Sequence, residues 1–378
     1  MTTKDFMNLF EEYKEEMLSD LIEFAKAESS SLEAQSLIGC ESFIKDLFRK
    51  RLGIEVNRTF PGKEKGTHNL YFEFGSGRSK VFLLGHYDTV WSKGALSFRI
   101  DGNSLYGPGV YDMKGGTVIM LWILKVLSEK RLLGDRKYCI FLNCDEEIGS
   151  PSSDKPIRDM AEGSEFCLVF EPGMADGSVK TGRKGCSEYT ISVKGKSSHA
   201  GLDLLSGRNA IEEMSRQIIK VQSLTRMDIG TTFNVGVCKG GERGCIVPDA
   251  ASFVVNCRYL TKEQARYCYD VLRSLKPVME GTSIEVSGEM GSMPMEETED
   301  NLAMYEQIRT AGEEIGLKIG KAVVGGTSDG NRVSALGIPT LDGLGVCGSG
   351  AHSPEEHMFI DSLVTRAAIV SSMLALRN

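Results

Sequence analysis

An α/β fold carrying an inserted α+β domain is what this sequence predicts, and three observations predict it. Short apolar runs such as Val81-Phe82-Leu83-Leu84 alternate with amphipathic helical stretches through the first half of the chain. Beyond Lys180-Thr181-Gly182-Arg183-Lys184-Gly185 the texture changes to strand, helix, strand, strand, helix, strand, and after Met293-Pro294-Met295 the helix and strand alternation resumes. The first pattern fits helices layered on a largely parallel sheet, and the second fits the split βαβ, or ferredoxin-like, arrangement. Residues 1–183 and 292–378 are therefore expected to form one domain, with 184–291 inserted into it.

In order, Phe6, Leu9, Phe10, Tyr13, Met17, Leu21 and Phe24 recur at helical spacing and predict an amphipathic helix from about Lys4 to Lys26. A second helix is expected from Leu37 to Leu52, stopped by Gly53. Strands are expected at Ile54–Thr59, Asn69–Phe74 and Val81–Leu84, the last an apolar run closed by Gly85 as in a sheet interior. Further strand-like runs cover Leu105–Tyr111, Tyr138–Cys144 and Phe166–Phe170, with a helix over Thr117–Lys130. The insert reads as strands at Ser187–Lys194, Thr231–Val237, Ser252–Tyr259 and Ser283–Val286, with helices at Asn209–Leu224 and Lys262–Leu275. Helices at Asn301–Ile315 and Asp361–Arg377 complete the first domain.

The chain has 378 residues, 41% hydrophobic and 25% charged, which is enough to bury two cores. A net charge of -8 with no cluster of Lys and Arg argues against nucleic acid as a partner. The longest wholly apolar run, Val118–Leu124, is far short of the ~20 residues that cross a bilayer, so no membrane role is expected. Met1-Thr2-Thr3-Lys4-Asp5 does not open like a secretion signal, and the ten cysteines include no C-x-x-C pair, so free thiols in a cytoplasmic protein are expected. Any imidazole-bound metal must draw on five histidines: His68, His86, His199, His352 and His357.

Each strand-like run before the insert hands off to an acid or a histidine. His86 follows the first, Asp112 the second at a loop-to-helix junction, Asp145-Glu146-Glu147 the third and Glu171 the fourth. Open α/β sheets place their chemistry beyond the carboxyl ends of such strands, so one histidine and three carboxylate positions are expected along one sheet edge. Two divalent ions close together need oxygen or imidazole ligands and a carboxylate to bridge them. Asp112 as the bridge gives one ion His86 and Glu171, and the other Glu147 and His352. This donor set suits zinc, with cobalt or manganese as substitutes. Asp88 is placed to hold the His86 ring, and Glu146, beside a ligand but not needed as one, is the expected general base. His357 is not expected to ligate.

These residues carry a family resemblance. Gly85-His86-Tyr87-Asp88-Thr89-Val90, Gly107-Pro108-Gly109-Val110-Tyr111-Asp112-Met113-Lys114-Gly115-Gly116, Asp145-Glu146-Glu147-Ile148-Gly149-Ser150, Glu171-Pro172, Ser197-Ser198-His199-Ala200-Gly201, Gly326-Thr327-Ser328-Asp329-Gly330 and Ala351-His352-Ser353-Pro354-Glu355-Glu356 resemble the di-zinc exopeptidases. That family includes acetylornithine deacetylase, succinyl-diaminopimelate desuccinylase, peptidase T and the glutamate carboxypeptidases, and the chain resembles the last branch most. The resemblance implies a mixed-sheet catalytic domain and an inserted lid that forms a homodimer. It implies the ligand set above, His199 contacting substrate, Arg258 binding the substrate carboxylate, and Gly326 and Thr327 lining the substrate site. Where Cys245 stands the family usually has Asn. The implied reaction is hydrolysis of the amide before a C-terminal amino acid, with N-acyl-amino-acid deacylase or dipeptidase activity as the alternative and a non-catalytic binding role as the remote one.

Overall fold

The computed structural model describes residues 1–376, which divide into two compact units. The first comprises Met1–Gly182, Glu297–Val323 and the chain from Ser328 onward; the second comprises Arg183–Glu296 and the short stretch Val324–Thr327.

The first unit is built on a six-stranded mixed sheet in the order Arg58–Pro61, His68–Phe74, Arg136–Asn143, Ser79–His86, Phe166–Val169, Thr340–Leu341. The first two pairings are antiparallel and the other three parallel. Ser79–His86 thus has parallel neighbours on both sides, which is why it is apolar on both faces. Val81 and Leu83 enter the larger core, with the helices Thr3–Lys26, Ala34–Leu52, Lys114–Glu129, Glu299–Glu314 and Asp361–Leu376. Phe82 and Leu84 enter a smaller core on the opposite face, with Ile157, Ala161 and Val333. Lys114–Glu129 is apolar nearly all round because it is almost wholly buried. The last helix is described to Leu376; Arg377, where it was expected to end, lies outside the described residues.

Two expectations are corrected here. The strand over Leu105–Tyr111 is only Ser104–Tyr106, and it lies outside the central sheet. It belongs to a small antiparallel sheet ordered Gly348–Ser349, His357–Phe359, Ser104–Tyr106, Arg99–Asp101. Gly107-Pro108-Gly109 ends it, because proline lacks the ladder N–H and Gly109 has φ +73°. Asp112 therefore does not follow a strand of the central sheet. The strand expected at Ile54–Thr59 starts only at Arg58, since pairing with its neighbour begins at the Arg58 and Tyr71 register.

The second unit is a four-stranded antiparallel sheet ordered Thr232–Gly240, Ala250–Tyr259, Gly185–Lys194, Ser283–Ser287. Tyr189, Ile191, Val193, Phe253, Val255 and Cys257 alternate onto one face and pack with Ala210, Met214, Val221, Ala265, Cys268 and Leu272 of the helices Ala210–Gln222 and Lys262–Arg273. This is the ferredoxin-like arrangement. Val324–Thr327 joins the unit through hydrogen bonds: Lys184 N–H donates to Val324 O (2.9 Å), and Arg183 Nη1 lies 3.4 Å from the carbonyl oxygens of both Gly326 and Thr327.

Candidate metal centre

In the first unit, three parallel strands stop at nearly one level. His86 lies opposite Asn143 and Leu84 opposite Val169, so the residues following each strand emerge together. This brings His86, the Glu146–Glu147 turn and Glu171 to one edge. Asp112 arrives from the small sheet and heads the helix Lys114–Glu129, whose N-terminus favours a carboxylate. His352 arrives on the loop joining the Gly348–Ser349 and His357–Phe359 strands, held at φ 60°. Gly116 has no side chain for a reason of packing: a Cβ there would overlap the Phe170 carbonyl oxygen, next to Glu171.

Two groups of metal-ligating side chains result, and they share one member. His86, Asp112 and Glu171 form the first; Asp112, Glu147 and His352 form the second. His86 Nε2 lies 3.4 Å from Asp112 Oδ1 and 3.5 Å from Glu171 Oε1. His352 Nε2 lies 2.9 Å from Glu147 Oε2 and 3.6 Å from Asp112 Oδ2. Each Asp112 oxygen thus faces a different histidine. Asp112 Oδ1 is buried with no hydrogen-bond donor, an arrangement that is costly unless a cation satisfies it. The donor set is imidazole and carboxylate without thiolate. On both counts the residues fit a pair of divalent ions.

Burial pushes Glu146 well above the ordinary carboxylate range, and the charges of Glu171, Asp329 and Glu147 push it further. Glu147 is lifted to about 7, by burial first and by the Asp112 charge second. The hydrogen bond to Glu147 raises His352 to about 9. Burial works to raise Asp112, but the imidazoles of His86 and His352 hold it below its ordinary value.

Asp88 meets the His86 ring chiefly through its main chain. His86 Nδ1 is 3.0 Å from the Asp88 main-chain carbonyl oxygen and 3.4 Å from its carboxylate. The fully buried carboxylate instead accepts the N–H groups of Glu146 and Glu147, each at 3.2 Å, and the Ser31 hydroxyl at 2.7 Å. It holds the backbone that carries the two glutamates. Sequence reading had assigned nothing to three further groups that hold the same loops. Asp145 accepts from Ser152 and Ser153, Asp329 from Ser150 and Asn143, and Arg332 Nη2 donates to Gly149 O at 2.6 Å. Asp145 and Asp329 lie within the quoted motifs, and Arg332 lies two residues beyond one of them.

The second unit holds the remaining expected residues. His199 is exposed, its Nδ1 accepting the Gly201 N–H at 3.1 Å and its main chain bridging to Ile246. Exposed Cys245 accepts the Ala200 N–H through its carbonyl at 2.9 Å. Arg258 is half-buried on the sheet face away from the helices, donating from Nε to Asn256 Oδ1 at 3.0 Å and from Nη1 to Gly325 O at 3.3 Å. Gly326 and Thr327 lie in the same short segment. Among the described residues, no helix is long and apolar enough to cross a membrane.

The chain is similar to known proteins in sequence and in fold. Carboxypeptidase G2 of Pseudomonas sp. (strain RS-16) is 26% identical over 366 residues, covering 95% of this chain and 88% of that one. Succinyl-diaminopimelate desuccinylase of Corynebacterium glutamicum is 27% identical over 311 residues, covering 79% of this chain and 81% of the relative. Among solved structures, aminopeptidase PepT from Bacillus cereus shares the fold with a TM-score of 0.80 at 21% identity, over 96% of this chain and 98% of that one. The pattern characteristic of peptidase family M20/M25/M40 runs through residues 82–376. That span takes in His86, His352 and every acid gathered between them, and the chain belongs to peptidase family M20/M25/M40.

Proposed function

We propose that this chain is a two-metal hydrolase, with zinc the ion best suited to its donors, that cleaves the amide preceding a C-terminal amino acid. The observation that carries this reading is Asp112, one carboxylate shared by two ligand groups, with Glu146 on the residue beside the second group's Glu147. One ion would be held by His86, Asp112 and Glu171, the other by Asp112, Glu147 and His352. Bound there, the ions would supply Lewis-acid polarisation of the scissile carbonyl and of the attacking water. Glu146 takes the proton from that water and delivers it to the leaving nitrogen.

Arg258 pairs with the free carboxylate of the substrate, and Gly326 and Thr327 lie beside it in the same unit. His199 donates to the oxyanion formed at the scissile carbon in the active site of a second copy of the chain. That second copy docks through this unit's outer strand Thr232–Gly240, which is paired on one side only and exposes Val237 and Cys238. The relationship to carboxypeptidase G2 favours a peptide-like substrate, and the relationship to the desuccinylase favours an N-acyl amino acid on the same machinery.

Metal analysis of the saturated protein tests the two-ion reading, with two per chain expected; saturation at one would overturn it. Dipeptides, N-acyl amino acids and their C-terminal amides then test the substrate. Amidation is expected to cost the wild type far more than Arg258→Ala, because the paired charge-assisted bonds are lost. Equal penalties would remove Arg258 from the substrate site.

A further inference from the structure

Asp112 is served by a buried carboxylate that the proposed reaction does not use. Glu356 is 1% exposed and lies four residues after His352, just before the strand His357–Phe359. A carboxylate that deep is costly unless its oxygens are satisfied. Glu356 Oε1 accepts the N–H groups of Tyr111 and Asp112, each at 3.2 Å, and Oε2 accepts the indole N–H of Trp91 at 2.6 Å. Asp88 does the same on the other side of the centre, taking the consecutive N–H groups of Glu146 and Glu147. Each acidic segment is thus gripped at two successive amides by a buried acid from another segment. The grip at Asp112 also ties its loop to the His352 loop, which meets it a second time where His357–Phe359 pairs with Ser104–Tyr106. The two loops supply Asp112 and His352 to the second ligand group, and neither belongs to the central sheet.

Resting on the two-ion reading above, we propose that Glu356 is the positioning residue for the bridging carboxylate, fixing the Asp112 main chain so that its two oxygens face two ions. Removing such outer support typically weakens metal binding about 10–100-fold. The chemistry of the clamp supplies a specific test. All three groups facing Glu356 are donors. A glutamine there offers one acceptor oxygen and one N–H2, so in Glu356→Gln two donors are set against each other on one side. Trp91→Phe removes the indole donor and lets the glutamine oxygen turn to the Tyr111 and Asp112 amides.

The experiment is a Co2+ titration of metal-free wild type, Glu356→Gln, Trp91→Phe and the double variant, followed by the visible ligand-field absorption, with melting of each metal-free protein as a control. Glu356→Gln is expected to bind cobalt about 10–100-fold more weakly and with an altered spectrum. The double variant is expected to recover most of that loss and the wild-type spectrum. A merely structural role predicts no such rescue, because the double variant loses more buried contacts than either single. Wild-type affinity and spectrum in Glu356→Gln, or a double variant no better than it, would overturn the clamp while leaving the two-ion reading intact. Wild type saturating below two ions would bring down both. If Glu356→Gln does not fold, the double variant must fold and bind cobalt; failure of both overturns the proposal.

Discussion

The two units hold their expected functional residues in very different ways. In the first, His86 is buried, Glu147 and Asp112 hang from amides gripped by Asp88 and Glu356, and the loops behind them are tied by Asp145, Asp329 and Arg332. In the second, the His199 ring is exposed and accepts the Gly201 N–H of its own turn, and the Arg258 guanidinium donates to Asn256 and Gly325. Groups that must keep ions and a base in register need support from several directions. Groups that read a substrate gain from room to move. Under the proposed function the contrast would divide chemistry in the first unit from selection in the second, and each experiment below is chosen to strain that division.

The largest effect is expected at Glu146. Glu146→Ala should keep both metals while losing roughly 100-fold to 10,000-fold in turnover, the range of a general base. Glu147→Ala should instead lose metal affinity. If Glu146→Ala stayed within a few-fold of wild type, with metal content confirmed, the base would have to lie elsewhere and the first unit would lose its claim on the chemistry.

Next in size is the effect of His199, which the division places on the side of selection although the proposed function gives it an oxyanion to stabilise. An oxyanion donor is usually worth about 3 kcal/mol, so His199→Ala alone should be severely impaired. Mixing dissociated Glu146→Ala and His199→Ala chains decides which copy it serves. A hybrid dimer has one site with both residues intact only if His199 acts on the other copy, and activity should then return. Hybrids shown to form but still inactive would end the cross-subunit role.

How far the sequence could be read follows the same division. The strand edge was legible because Val81–His86, Tyr138–Cys144 and Phe166–Phe170 are apolar runs closed by chemistry-bearing residues, and parallel strands must end together. The insert was legible from period-two alternation. The route of Asp112 was not, because Leu105–Tyr111 has strand composition and only the tertiary setting shows that Gly107-Pro108-Gly109 turns it into a separate sheet. The support from Asp88 and Glu356 was hidden for a similar reason: it reaches main-chain N–H groups, which leave no mark in side-chain spacing. Nor did the insertion boundaries reveal Val324–Thr327, which returns to the second unit by hydrogen bonds made in three dimensions.

A smaller effect concerns pH. Glu147 rises from 4.5 to about 7 and His352 from 6.5 to about 9. Both folded values exceed the unfolded ones, so in metal-free protein their contribution to stability is fully present below the unfolded values and is lost as pH rises through the folded ones. Metal binding displaces the same protons and strengthens over the same window. The melting-temperature gap between metal-loaded and metal-free protein should therefore widen from about pH 5 to about pH 9. A gap independent of pH would detach Glu147 and His352 from the metal.

The smallest effect separates two histidines close together in the chain. His352 and His357 are five residues apart, and composition alone cannot rank them as ligands. Their settings can. His352 points Nε2 at Glu147 and Asp112, whereas His357 lies on a strand, with Nδ1 2.8 Å from Glu355 O and its ring 4.9 Å from Tyr106 and 5.6 Å from Phe359. His357 is therefore a packing residue of the small sheet. His357→Ala should leave metal content and turnover unchanged and cost about 0.5–1.5 kcal/mol of stability, the worth of a ring pair beyond its area. Thermal melting and metal analysis of the one variant read both quantities. Loss of a metal would mean that the small sheet ligates as well as positions, and that support and ligation are not divided within the first unit as they are between the two.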